Sequence, residues 1–140
     1  MVCSYKGGKF FTAGSVGGEI QATYNSGGVF ETEFIITAHH RGVLTLRLCD
    51  QPNVTEECLQ KYPPLQRVRF EDDNLIRAQP INPSYPEFFY LNPRCALGLD
   101  SSINAYRMKA RWKLPDGVAC ENCVLQMWWT TGEILDCCFP

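Results

Sequence analysis

Long apolar runs are missing from this chain. No stretch approaches the roughly 18 residues that a membrane-spanning helix needs, so no such helix is expected. Clustered positive charge is missing as well. No basic run exceeds two residues and the net charge is −2, which argues against a nucleic-acid footprint and against an anionic membrane surface as partners. Helical periodicity is almost absent, which sets aside helical bundles and α/β folds. A phosphate-binding glycine loop, a Gly-x-Ser-x-Gly nucleophile elbow and a His-Glu-x-x-His zinc motif do not occur. The carboxylates Glu31, Glu33, Asp72 and Asp73 are scattered as solvated faces, not set as an acid–base pair. Histidine is scarce too: the two present, His39 and His40, are neighbours.

What the chain does have is cysteine. Eight stand at 3, 49, 58, 95, 120, 123, 137 and 138, an even number at high density, which reads as a disulfide framework formed in an oxidising compartment. Cys49 and Cys58 close a small ring through turn-forming residues. A bridge there is sterically easy and, on the loop-entropy argument, stabilises by roughly 2.7 kcal/mol. Cys120-x-x-Cys123 followed by Cys137-Cys138 also permits a zinc site, but adjacent cysteines rarely ligate one metal together. A redox Cys-x-x-Cys lacks its strand-to-helix setting. Asn53-Val54-Thr55 is a glycosylation sequon, whereas Asn82-Pro83-Ser84 is excluded by its proline. Bridges and sequon together indicate a secreted protein. The N-terminus shows no apolar leader, so either a leader was removed or the chain begins inside a longer protein; the second is expected, because Met1-Val2-Cys3 reads as mid-domain sequence.

The 140 residues suit one domain, 1–140, with a sizeable core. Strand patterns recur along it. Val29 to Thr37 sets Phe30, Phe34 and Ile36 against Glu31 and Glu33, and Gly42 to Cys49 sets Leu44, Leu46 and Leu48 against Thr45 and Arg47. Tyr106 to Leu114 alternates strictly, predicting an antiparallel strand with one dry and one wet face. Cys123 to Thr131 is apolar on both sides and is expected at the centre of a sheet. Between Pro63 and Leu99 six prolines intervene, which excludes central sheet because proline removes ladder donors. The expected fold is all-β: an immunoglobulin/fibronectin-like antiparallel β-sandwich with a long Pro-rich insertion and disulfides.

Two clusters carry possible chemistry. Adjacent histidines on an extended backbone point to opposite sides, so one of the pair at most serves a site, and the other reading is two solvated histidines where a strand begins. Tyr85, Phe88, Phe89 and Tyr90 form either a sugar-stacking surface or an anchor that ties the insertion to the domain. Trp128 and Trp129 must face opposite ways on one strand.

Three segments together carry a family likeness. They are Ile35-Ile36-Thr37-Ala38-His39-His40-Arg41-Gly42 leading to Leu44-Thr45-Leu46-Arg47-Leu48-Cys49; Glu57-Cys58-Leu59; and Cys120-Glu121-Asn122-Cys123-Val124-Leu125-Gln126-Met127-Trp128-Trp129-Thr130-Thr131-Gly132, with Cys137-Cys138 beyond. Their order and spacing resemble the small eukaryotic copper-dependent lytic polysaccharide monooxygenases, also called chitin-binding type-4 domains. The likeness leaves out the Pro63 to Leu99 region.

The resemblance implies one copper ion, with His40 as the family's second copper histidine and Ala38 as the small residue packed on the open axial side. It makes His39 no ligand. It also implies an N-terminal histidine upstream of Cys3 and an axial aromatic residue after the paired cysteines. Phe139 is too near those cysteines for that role. The domain is therefore expected to be incomplete at both ends and inactive alone. In the whole protein the resemblance implies oxidative cleavage of glycosidic bonds in chitin, cellulose or pectin, with an external electron donor or peroxide. A monomer acting on a polysaccharide surface is expected. The alternative is a secreted non-catalytic module that binds carbohydrate or a protein.

Overall fold

The computed structural model describes residues 2–6, 19–38, 40–69, 81–91 and 99–132. Among these described residues nine strands and one short helix follow in chain order: β1 Val2–Lys6, β2 Ile20–Asn25, β3 Val29–Ile36, β4 Val43–Cys49, α1 Glu56–Gln60, β5 Arg67–Val68, β6 Phe89–Tyr90, β7 Leu99–Asp100, β8 Ala105–Lys113 and β9 Cys120–Thr130. They form two sheets, ordered β2-β1-β9-β4-β6 and β3-β8-β5, with β7 paired to β8. The fold is the all-β, immunoglobulin-like sandwich that the alternating runs predict. β9 does take the centre of its sheet. Two elements escape the sequence pattern: β1, which pairs parallel to β9, and α1, one turn long.

The chain divides into two compact units. The first comprises Met1–Phe30, Leu46–Leu65 and Lys113–Trp128. Its small core gathers Cys49, Val54, Cys58, Leu59 and Val124. Thr55 caps α1, its hydroxyl accepting from the Cys58 amide at 3.1 Å, with Glu56 and Glu57 favourably placed at the positive end of the helix. Cys49 and Cys58 are disulfide-bonded, Cα atoms 5.1 Å apart. Asp50 accepts hydrogen bonds from Lys61 and, at 2.6 Å, from the Tyr62 hydroxyl. Burial works to raise its pKa, but these two bonds outweigh it and hold the carboxyl below its usual range.

Cys120 and Cys123 are also bridged, Cα atoms 5.6 Å apart. Residues three apart on a regular strand lie about 10 Å apart and face opposite ways. An irregularity resolves this: Cys3 pairs with Cys120 and Tyr5 with Cys123, so three steps of β9 oppose two of β1. The bulge brings both cysteines to the buried side. The side chain of Cys3, together with Cys95, Cys137 and Cys138, lies outside the described residues, as do Asp72 and Asp73. Replacing Cys49 and Cys58 together by alanine is expected to cost roughly 2.7 kcal/mol of stability, read as a lowered urea midpoint. An unchanged midpoint would show that this ring constrains nothing.

The second unit comprises Glu31–Thr45, Gln66–Trp112 and Trp129–Pro140. On β8, Met108, Ala110 and Trp112 are buried, while Arg107 and Lys109 reach across to Glu33 and Glu31. The hydrogen bond from Lys109, aided by Arg111, holds the Glu31 carboxyl below its ordinary value. Such exposed pairs set register more than they stabilise. The Trp112 indole donates to Thr32 Oγ1 at 2.8 Å, satisfying the polar atom of a fully buried ring. Among the described residues of the Pro-rich stretch, β5 and β6 are two residues long and sit at sheet edges, β5 beyond β8 and β6 beyond β4. Edges are where strands flanked by proline are tolerated.

Candidate functional site

Between the end of β3 at Ile36 and the start of β4 at Val43 lies the histidine segment. Arg41 has φ 53° and Gly42 φ 92°, two left-handed residues in succession. For Arg41 this conformation costs roughly 1–2 kcal/mol, so neighbours must hold it. They do so through three consecutive carbonyls. His40 O accepts from Gly132 N at 3.3 Å, Arg41 O from Trp129 Nε1 at 2.8 Å, and Gly42 O from Leu91 N at 2.8 Å. Arg41 and Gly132 also form an isolated parallel bridge. A backbone with every acceptor filled leaves little freedom to the residue it presents.

That residue is His40, whose side chain is exposed. Its imidazole lies 5.8 Å, centroid to centroid, from the Trp129 ring at an interplanar angle of 41°. One indole therefore flanks the imidazole and also pins the next carbonyl. Ala38 is exposed two residues upstream. Asn53 is exposed between β4 and α1, where a glycan would find room. His39 and Phe139 lie outside the described residues.

Copper takes imidazole nitrogen readily in both oxidation states, and an exposed imidazole on a fixed segment suits it. His40 thus fits as one arm of a copper site. Among the described residues no three His, Cys, Asp or Glu side chains gather to complete a metal set.

A family model described as lytic polysaccharide mono-oxygenase, cellulose-degrading, matches residues 1–137. The chain belongs to the lytic polysaccharide monooxygenases. No curated protein matches it. Among solved structures it is similar to the lytic polysaccharide monooxygenase AA15 from Thermobia domestica in the Cu(I) state, with 27% identity and a TM-score of 0.53. That match covers 79% of this chain and 47% of the other, so this chain spans about half the length of that solved relative. The relative's Cu(I) state points to copper as the family's cofactor.

Trp129 is the residue near His40 that sequence reasoning did not place. The Trp128-Trp129 pair predicts opposite facing, and Trp128 is indeed 58% exposed. Nothing in the sequence says that the inward partner meets the histidine segment, since that contact spans 88 residues. Trp129→Phe keeps a ring beside His40 and removes the N–H donor. It is expected to cost about 1 kcal/mol, read by urea unfolding. A variant as stable as the parent would mean that the 2.8 Å bond to Arg41 holds nothing in place.

Proposed function

We propose that this chain is the His40-bearing part of a secreted monooxygenase that cleaves glycosidic bonds in a polysaccharide such as chitin, cellulose or pectin. The observation that carries this reading is the His40 imidazole, exposed on a segment whose three carbonyls are all hydrogen-bonded. His40 would hold copper as one ligand, with the chelating amine and ring of an N-terminal histidine as the others. When bound, copper would supply one-electron chemistry on oxygen or peroxide, the class of reaction that oxidises a sugar at C1 or C4. The chain's own residues hold the segment that carries the imidazole: Trp129 and Gly132 bond its backbone, and exposed Ala38 is proposed as the small residue beside it. Partners follow from the chemistry: a polysaccharide surface and an external electron donor or peroxide. The cysteine bridges support an extracellular location, and Asn53 is proposed as a glycan acceptor.

The test incubates the whole copper-loaded protein and its His40→Ala variant with each polysaccharide and a reductant. Oxidised oligosaccharides are read by mass spectrometry. Products that require both copper and His40 support the reading. A protein that binds these polysaccharides without oxidising any would be a non-catalytic carbohydrate-binding module instead.

A further inference from the structure

The segment 81–91 is built to hold one aromatic ring in the open. Two successive turns shape it, closed by Tyr85 N to Asn82 O and Phe88 N to Tyr85 O, each at 3.1 Å. Asn82, a buried polar residue, locks the first turn from inside. Its Oδ1 accepts from Ser84 N at 2.9 Å and its amide donates to the Tyr90 hydroxyl at 3.1 Å. Arg67, also buried, locks the second. Its backbone amide donates to Pro86 O at 2.9 Å, its guanidinium donates to Phe88 O at 3.3 Å, and the guanidinium lies 4.8 Å from the Phe89 ring centre. Burial pulls the Arg67 pKa down to about 10, a desolvation cost borne at a position that serves these turns.

At the tip of this frame Tyr85 stacks on Phe88, ring centroids 5.2 Å apart and planes within 7°. Phe88 is in turn braced edge-on by Tyr90 at 6.0 Å. Phe88 covers one face of Tyr85, yet Tyr85 remains 51% exposed, so its other face and edge are open. A ring that served only to anchor the segment would be covered. Exposed Ser84 and half-buried Glu87 stand beside it in sequence and supply hydroxyl and carboxylate groups.

We propose that the open face of Tyr85 is a stacking site for a pyranose ring of a polysaccharide chain. A flat, uncharged, pre-oriented ring with short polar neighbours suits the C–H face and the equatorial hydroxyls of a sugar. The choice of ligand class rests on the polysaccharide reading above; the site itself needs no metal.

The test is depletion of the 140-residue protein from solution by chitin, cellulose and pectin particles, in the presence of a copper chelator. Parent, Tyr85→Ala, Tyr85→Leu and Tyr85→Phe are compared after unfolding midpoints confirm that each is folded. The parent should bind at least one polysaccharide. Tyr85→Ala and Tyr85→Leu should weaken that binding by about tenfold, while Tyr85→Phe stays within about twofold. Binding to none of the three, or binding that ignores loss of the flat ring, overturns the proposal, and so does a Tyr85→Phe loss as large as that of alanine. If oxidation fails but ring-dependent binding persists, the sugar site stands without the monooxygenase reading. If only the ring dependence fails, the copper reading is untouched.

Discussion

Loss of His40 is expected to abolish tight copper binding in a form of the protein that begins with a histidine upstream of Cys3. The 140 residues contain two histidines, at 39 and 40. His39 lies outside the described residues, so His40 is the one imidazole that the described residues present. A single imidazole gives neither chelation nor a fixed geometry, and the 140-residue chain is expected to bind copper(II) weakly. An N-terminal histidine adds an amine and a second ring in one chelate, and affinity should rise steeply. His40→Ala in that extended form should then cost more than the roughly 10–100-fold that accompanies loss of an outer-shell partner.

Calorimetric titration of the short chain, the extended chain and the extended His40→Ala variant separates the cases. The indole of Trp129, 5.8 Å from the imidazole, gives an independent reading, because copper at His40 should quench its fluorescence. Tight one-to-one binding by the short chain would place the metal elsewhere. So would binding by the extended chain that survives removal of His40.

Much of the fold is legible in the sequence because its strands alternate. Phe30 and Phe34 against Glu31 and Glu33, and Met108 and Trp112 against Arg107 and Lys109, can be read as dry and wet faces without a structure, and these residues do take those faces. The edge positions of β5 and β6 follow from the prolines around them. What periodicity cannot show is pairing between remote segments. The parallel match of β1 to β9 leaves no mark on either strand. The bulge that turns Cys120 and Cys123 to one side breaks the period-two rule on which the reading of that strand depends. At the site, His40 and Gly42 stand out by residue type and spacing. The contacts that hold them come from Leu91, Trp129 and Gly132, and each of these is a long-range meeting that no local pattern encodes.

Gly42→Ala is expected to be among the most damaging single changes in the chain. Two costs add there. With φ at 92°, Gly42 occupies a conformation that costs an alanine roughly 1–2 kcal/mol. A methyl group would also run into the carbonyl oxygen of Thr130 and the Cα of Thr131, both backbone atoms that cannot rotate away. Overpacking of this kind typically adds about 1–3 kcal/mol, so a total near 3 kcal/mol is expected against a domain stability of roughly 5–15 kcal/mol. Gly132→Ala separates the two terms. Gly132 also has positive φ, 140°, but a methyl group there meets no atom of the described residues within 4 Å, so the expected loss is only about 1 kcal/mol. Urea midpoints of both variants measure the difference. The larger loss at Gly42 should be accompanied by weaker copper binding in the histidine-initiated form, because relief of the clash must move the segment that carries His40. Equal losses at the two glycines would mean that left-handed backbone alone demands glycine at position 42. The close approach of Thr130 would then have no part in presenting the histidine.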